Sequence, residues 1–461
     1  MDTPIPFRKD RSLMAAMAVG LVLRLLPLAF FIQGNCVRDE CIYRSVATGI
    51  LNGEGLGTTA KGWLPAPGFP YTIAAMKAVF GAFWAVKFVH VGLGVLSVYL
   101  IYRITEHLFD NRTARLSAWM FALHPTLVYF TGTMWIETFY IFFLLLAVLG
   151  VLRIPFVGLR GAVSSGISLG LATLYRGVAT YLPPIFAVAA MWPDEGFTTP
   201  GALLRSFQAR WKRGAAIVLA WAVVVAPYSI HGSQKYGGFM ITDATMGHVL
   251  FLGNNDFPPL TFDYGNGMLT GPLYADYLRT GRRPCDRNEL PVISSKCEVE
   301  TAVQWIQDNP SEFIDRIPMR VAQLVNPNSF FTRHIRWGYW EGIPWWFKEF
   351  LAISVVLSSS LVMVGGTVAA FARGRGAYAI MASGTVLYTV ATTCLMYGMT
   401  RFRLPLEPLW MVFLASLLAD PRACVSVLKQ SGPRLAGVLL TLPPLLVLMS
   451  WYVRTGFPMF W

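Results

Sequence analysis

The chain has 461 residues, of which 55% are hydrophobic and only 14% are charged, and its mean hydropathy is +0.50. Soluble domains carry about a quarter charged residues, and no single water-soluble core needs this much apolar sequence, whereas a stack of bilayer spans of roughly 20 residues each does. The formal net charge of +13 comes without a basic stretch interleaved with aromatics in a polar setting, which speaks against a nucleic-acid partner and leaves Lys and Arg retained beside membrane spans, or the binding of anionic lipid or phosphate.

Arg8, Lys9 and Arg11 precede an apolar run from about Leu13 to Ile32. The run is too long for a typical signal-peptide core and lacks a small-residue cleavage site, so it is expected to be a retained first span. Further apolar stretches fall near 86–104, 113–130, 134–152, 162–175, 178–192, 214–230, 347–371, 377–398, 402–419 and 435–453. Together they predict an all-α, polytopic membrane protein with about eleven transmembrane helices. The piece Phe69–Trp84 is amphipathic and interrupted by Lys77, so it is expected to lie in the membrane interface.

With the N-terminus in the cytoplasm, alternate threading collects the basic residues on one side. They are Arg103, Arg112 and Arg115; Arg153 and Arg160; Arg205, Arg210, Lys212 and Arg213; Arg373 and Arg375; and Arg422, Lys429 and Arg434. That repeated bias follows the positive-inside rule. It implies a multi-pass protein of the plasma (inner) membrane, with two hydrophilic segments outside. The organisation expected is a transmembrane module over 1–230 with a first external loop over 33–68, an external region over 231–345, and C-terminal transmembrane helices over 346–461.

The larger external segment has turn signals at Gly253–Asp256 and Gly265–Gly267. It also has a helical pattern from Glu298 to Val325, in which Pro310 after Asn309 starts a second helix. Cys36, Cys41, Cys285 and Cys297 fall outside, where disulfides are possible, and Cys285–Cys297 is the easier pair; free buried thiols are the other reading. Cys394 and Cys424 fall in or beside spans.

Candidates for chemistry gather at the outer boundary. Asp39 and Glu40 open an amphipathic run over 42–51, where simple helix capping is the alternative. Trp63–Tyr71 is a stiff, proline-rich and aromatic segment. Glu137 opens a span, a costly place for a carboxylate unless it works there or snorkels to the surface. Arg176, Arg401 and Arg403 stand on the side where the positive-inside rule disfavours them, and a guanidinium binds phosphate bidentately.

These elements, in this order and on one side, resemble the bacterial membrane glycosyltransferases of the GT-C fold. The likeness is to the group containing protein O-mannosyltransferases and the lipid A aminoarabinose transferase. It rests on Asp39–Glu40, Pro65–Pro70 (with Ala66 where many relatives have proline), Glu137, Arg176, Gly253–Asn254–Asn255, Trp305–Ile306 to Asn309–Pro310, and Arg401–Phe402–Arg403–Leu404–Pro405. It implies a polyprenyl-phosphate sugar as donor, and transfer to a lipid, glycan or protein acceptor on the external face, with inversion. In that scheme Asp39 is the general base, Glu40 orients it, and Glu137 positions acceptor or sugar. Arg176, Arg401 and Arg403, with Lys61 and Arg44 behind them, hold the donor phosphate.

No cofactor is implied. The six histidines are scattered without ligand spacing, so no metal site is expected, although a divalent ion at Asp39 or Glu137 stays open. Three other readings compete, of which a non-catalytic assembly subunit is one. A lipid or solute transporter would show inverted repeats, and none is visible. An oligosaccharide ligase or polymerase would use a lipid-diphosphate donor, and Arg279, Arg282 and Arg283 keep it in view.

Overall fold

The structure is a computed structural model that describes residues 10–31, 36, 39–57, 64–193, 199–255, 285, 290–336 and 342–450. Lys61, the 265–267 turn, and Arg279, Arg282 and Arg283 lie outside the described residues. The described residues form helices, with no strand among them.

The first half contains α1 (Arg11–Phe31), α2 (Asp39–Leu51), α3 (Gly68–Phe80), α4 (Ala85–Leu108), α5 (Asn111–Leu123), α6 (Pro125–Thr131), α7 (Glu137–Leu152), α8 (Ile154–Val157), α9 (Leu159–Tyr175), a 3-10 helix (Gly177–Tyr181), α10 (Leu182–Met191) and α11 (Pro200–Lys235). The segment between the two sets of long apolar helices contributes α12 (Met246–Gly253), α13 (Pro291–Asp308), α14 (Pro310–Val325) and α15 (Phe330–Arg336). The chain closes with α16 (Trp345–Arg373), α17 (Gly376–Leu395), α18 (Thr400–Arg403), α19 (Glu407–Ala419), α20 (Pro421–Gln430) and α21 (Gly432–Met449).

Every apolar stretch expected to cross carries helix, but the crossings are not equal. Among the described residues six helices, α1, α4, α11, α16, α17 and α21, are long and apolar enough to span a bilayer, or seven if the bent pair α19–α20 is one span. The count of eleven is not reached by that measure, and the reasons are local. Pro125 breaks the 113–130 stretch, because the residue before a proline is pushed to extended backbone and His124 sits at ψ 115°. The break frees helical carbonyls, and Arg24 of α1 takes them. Its guanidinium donates to Ala122 O at 3.1 Å and Phe121 O at 3.2 Å. Pro421 opens α20 at an angle of 98° to α19. Helices α7 and α10 are short apolar elements.

Packing follows membrane rules, in which small residues let backbones approach because lipid offers no hydrophobic drive between helices. Helix α9 packs against both α7 and α11. A Cβ on Gly150 of α7 would come within 2.8 Å of Ser165 N, and one on Gly170 within 2.6 Å of the Val224 side chain. A Cβ on Gly166 would overlap the carbonyl of Ile217. A second layer forms where α16 lies along α19, and α4 lies along α5 and α7.

Two shorter helices, α2 and α3, form the rim that carries the site. They share a small core of Tyr43, Ala47, Phe69, Ile73 and Ala74 with Val86, Met134, Ile136 and Phe139. The helix expected over Phe69–Trp84 is thus α3. Its entry from the proline-rich segment needs glycine at 68, since a Cβ there would meet the Tyr175 ring at 2.8 Å and Leu174 O at 2.9 Å. Thr72 Oγ1 and Tyr175 Oη are 2.7 Å apart. The stiff turn therefore fixes α3 against the end of α9, one residue before Arg176.

Candidate active site

Asp39 and Glu40 are the first two residues of α2, and they diverge. Glu40 is 4% exposed and turns inward. Its Oε1 accepts the Met134 backbone N–H at 2.7 Å and lies 3.7 Å from Nζ of the buried Lys87. A buried carboxylate needs such partners, and these fasten α2 to the turn before α7 and to the start of α4. Asp39 faces the other way, and its Oδ2 accepts from Arg401 Nη1.

Glu137 does not snorkel: it is 0% exposed. Its place in the first turn of α7 suits a carboxylate, because the helix N-terminus is positive. Glu137 Oε1 accepts from Arg401 Nε and lies 3.4 Å from Arg176 Nη1. Its Oε2 is buried without a hydrogen-bond partner among the described residues.

Arg401, on the one-turn helix α18, is the hub. It bridges Asp39 and Glu137, and its guanidinium lies over the Trp135 ring at 4.3 Å. Burial alone would depress its pKa, but Glu137 and Asp39 outweigh burial and hold it above the ordinary value, so it stays charged. Arg176 ends α9 with extended backbone, and its guanidinium stands 5.4 Å from the Tyr140 ring and 5.7 Å from that of Phe402. Two carboxylates and two guanidiniums from α2, α7, α9 and α18 thus meet in one neutral knot.

Two sequence candidates are placed differently, and a third lies outside the described residues. Arg403 was expected on the donor phosphate, but it is 4% exposed and fully engaged elsewhere. It donates to Glu407 Oε1 at 2.8 Å, to the carbonyls of Leu324 (3.2 Å) and Asn328 (3.4 Å), and to that of Asn326. Two residues from Arg401 on a single helical turn, it points away from the knot and ties α18 to the end of α14. Arg44 stands over the Phe83 ring at 5.0 Å, outside the knot. Lys61 lies outside the described residues.

Two residues belong to the site that sequence reading did not single out. Trp135 is 1% exposed beneath Arg401; its only signal was its place two residues before Glu137. Tyr43 is 6% exposed, and burial pushes its phenol pKa up, with Arg401, Asp39, Glu137 and Arg176 all near enough to act on it. Its phenol therefore stays neutral. Its signal was its position one helical turn after Asp39. Both disulfides are formed: Cys36–Cys41 brackets Asp39 at the rim, and Cys285–Cys297 ties residue 285 to α13.

With this geometry in hand, the likenesses to known proteins can be weighed. The family model described as dolichyl-phosphate-mannose-protein mannosyltransferase matches residues 65–228. That is less than half of the chain, and it includes Glu137 and Arg176 but neither Asp39 nor Arg401. No curated protein sequence matches the chain. Among solved structures, the apo oligosaccharyltransferase of Archaeoglobus fulgidus is similar at 15% identity and a TM-score of 0.50, covering 96% of this chain and 56% of its own. The same organism's oligosaccharyltransferase AglB, in complex with an inhibitory peptide and a dolichol-phosphate, matches at 15% identity and TM-score 0.48, with coverage of 96% and 56%. ArnT from Cupriavidus metallidurans, bound to undecaprenyl phosphate, matches at 13% identity and TM-score 0.42, covering 90% of this chain and 79% of its own. The chain spans little more than half the length of the archaeal enzyme. It is a multi-pass membrane protein with the GT-C fold of membrane glycosyltransferases.

Proposed function

We propose that this protein transfers a sugar from a polyprenyl-phosphate donor to an acceptor hydroxyl at the extracytoplasmic face of the plasma membrane. The observation that carries this reading is the knot itself. Asp39, Glu137, Arg176 and Arg401 are up to 362 residues apart in sequence, yet they meet at the rim where two short helices flank the membrane spans. The match of residues 65–228 to a family named for a dolichyl-phosphate sugar supports the donor class.

The chemistry asks for two things this arrangement supplies. The leaving group is a lipid phosphate, and fixed positive charge beside it stabilises the negative charge that grows as the glycosidic bond breaks. Arg401 serves this, with Arg176 behind it. The acceptor hydroxyl needs a base within hydrogen-bond reach, and Asp39, partly exposed at 30%, is the carboxylate open to it. In the resting state Arg401 holds both carboxylates. An arriving phosphate competes for that guanidinium and frees Asp39 as it binds.

The reaction is then a single displacement. The Asp39 carboxylate takes the hydroxyl proton, and the acceptor oxygen forms a bond to the anomeric carbon. The bond from that carbon to the phosphate oxygen breaks, and its electron pair leaves with the polyprenyl phosphate. Nucleophile and leaving group occupy opposite faces, so the configuration inverts. Glu137, held by both arginines, keeps them in register and presents its free Oε2 to a sugar or acceptor hydroxyl. Glu40 acts through α2, which it fastens in place.

The test is transfer from a panel of labelled polyprenyl-monophosphate and polyprenyl-diphosphate sugars by purified protein in native membrane extract. Consumption of a monophosphate donor is expected. Consumption of diphosphate donors alone would replace this reading with a ligase or polymerase, and consumption of none would favour a transporter.

A further inference from the structure

The external region over 231–345 had motifs without a role: Gly253–Asn254–Asn255, and the Trp305 to Pro310 junction. The structure shows what they grip. Arg320 of α14 is 1% exposed. One of its nitrogens donates to Cys394 O at 2.7 Å and Leu395 O at 3.3 Å; the other donates to Gly253 O at 2.7 Å and Asn254 Oδ1 at 3.0 Å. Asn254 Nδ2 donates to Leu395 O at 2.8 Å and Leu250 O at 2.9 Å. Arg316, one turn earlier on α14, holds Gly253 O at 3.1 Å and Asn255 O at 3.2 Å and stacks on Trp305 at 4.3 Å.

Cys394 and Leu395 end α17, so their carbonyls have no helical N–H partner of their own. Arginine and asparagine side chains from the external region supply the donors. Steric fit is as close as the hydrogen bonding. A Cβ on Gly253 would overlap Met396 O, and one on Gly398 would overlap Arg320 O. The connection over 394–398 is therefore held between the end of α12 and the backbone of α14. Three residues after Gly398 comes Arg401. On its far side Arg403 reaches back to the carbonyls of Leu324, Asn326 and Asn328 at the end of α14. Arg401 is thus gripped by α14 both upstream and downstream.

We infer that α14 is a clamp that sets the position of Arg401, with Arg320 as its chief positioning residue. The external region is then part of the machinery that holds the donor phosphate as well as a surface beside it. This deepens the proposed function and rests on it for its catalytic consequence. A guanidinium displaced by about 1 Å costs on the order of 10²-fold in rate, so α14 has leverage over turnover without touching the substrate.

The experiment is a double-mutant cycle with Arg320→Met, Arg401→Gln and the pair, read as transfer rate per folded protein. Alongside it, hydrogen–deuterium exchange is followed across 396–404. Arg320→Met is expected to slow transfer by about 10- to 100-fold, and the pair is expected to be no slower than Arg401→Gln alone, because Arg320 acts only through Arg401. Exchange across 396–404 is expected to rise in Arg320→Met. Gly398→Ala, which keeps every hydrogen-bonding group and only wedges the two backbones apart, is the second variant should Arg320→Met fold poorly, and it should repeat both effects. Multiplicative losses in the pair, or unchanged exchange across 396–404 in both variants, would overturn the clamp. If the wild type transfers no sugar at all, the functional reading fails, and the exchange measurement still decides whether α14 holds the Arg401 segment.

Discussion

Arg401→Met is the most informative single change. It removes the guanidinium between two carboxylates and leaves Glu137, 0% exposed, with Arg176 at 3.4 Å as its remaining cation in the knot. Removing one partner from a buried ion pair costs about 3–5 kcal/mol, most of it the penalty of the orphaned charge. The stability of a native fold is on the order of 5–15 kcal/mol, so the loss should appear as a clear drop in the melting temperature in detergent. Adding Glu137→Gln removes that orphaned charge, and most of the lost stability should return. Transfer should not return, because the guanidinium proposed beside the leaving phosphate is still missing and such a group supplies about 10²–10³ in kcat. Stability and activity are measured on the same preparations. A single variant as stable as wild type, or a double variant less stable than the single one, would refute the account of the knot as a mutually compensating charge cluster.

Other outcomes follow from the scaffold. Gly166→Leu should separate α9 from α11, because even a Cβ there overlaps Ile217 O, and should cost about 1–3 kcal/mol in detergent melting as an overpacked contact. Alkylation of denatured protein without reductant should label only Cys394 and Cys424, and with reductant all six cysteines, read by mass. Asp10 caps α1 at Ser12 N and Leu13 N and takes Tyr102 Oη at 2.8 Å and Arg115 Nε at 3.0 Å. Burial pushes its pKa up, but those hydrogen bonds and the Arg115 charge outweigh it and the net shift is downward from 3.8. Its stabilisation is therefore present above the ordinary carboxylate range and is lost as pH falls through the lowered value. Asp10→Asn should melt earlier than wild type at neutral pH, by about 2 kcal/mol for a charged hydrogen-bond acceptor, and the gap should close in acid. A gap that widens in acid would contradict the assignment.

The fold class was legible because long apolar runs are strong signals, and the helix start at Pro310 and the amphipathic α2 and α3 were readable from local pattern. The straightness of the spans was not. Hydropathy averages over Pro125 and Pro421, whose effect is to bend the backbone while leaving the apolar content intact. At the site, Asp39, Glu137, Arg176 and Arg401 could be chosen from sequence because charge at a membrane boundary is costly and therefore conspicuous. Arg401 and Arg403 could not be told apart, since both are arginines at the same end of one segment. Only the direction of a single helical turn sends one to the carboxylates and the other to Glu407. Trp135 and Tyr43 were inconspicuous for the opposite reason: buried aromatics are ordinary in such a chain, and only the guanidinium above Trp135 and the charges around Tyr43 set them apart. The role inferred for α14 was hidden because most of its hydrogen-bond partners are backbone carbonyls, which no residue pattern reveals.

The proposed step is a displacement at the anomeric carbon with Asp39 as base. It is tested most directly by single-turnover transfer from a labelled polyprenyl-monophosphate sugar, with wild type and folded Asp39→Asn compared side by side in native membrane extract. Wild type is expected to consume the donor and form product of inverted configuration, while Asp39→Asn is expected to bind the donor and leave it intact. Equal donor consumption by the two proteins would reduce Asp39 to an ion-pairing and capping residue and contradict the mechanism.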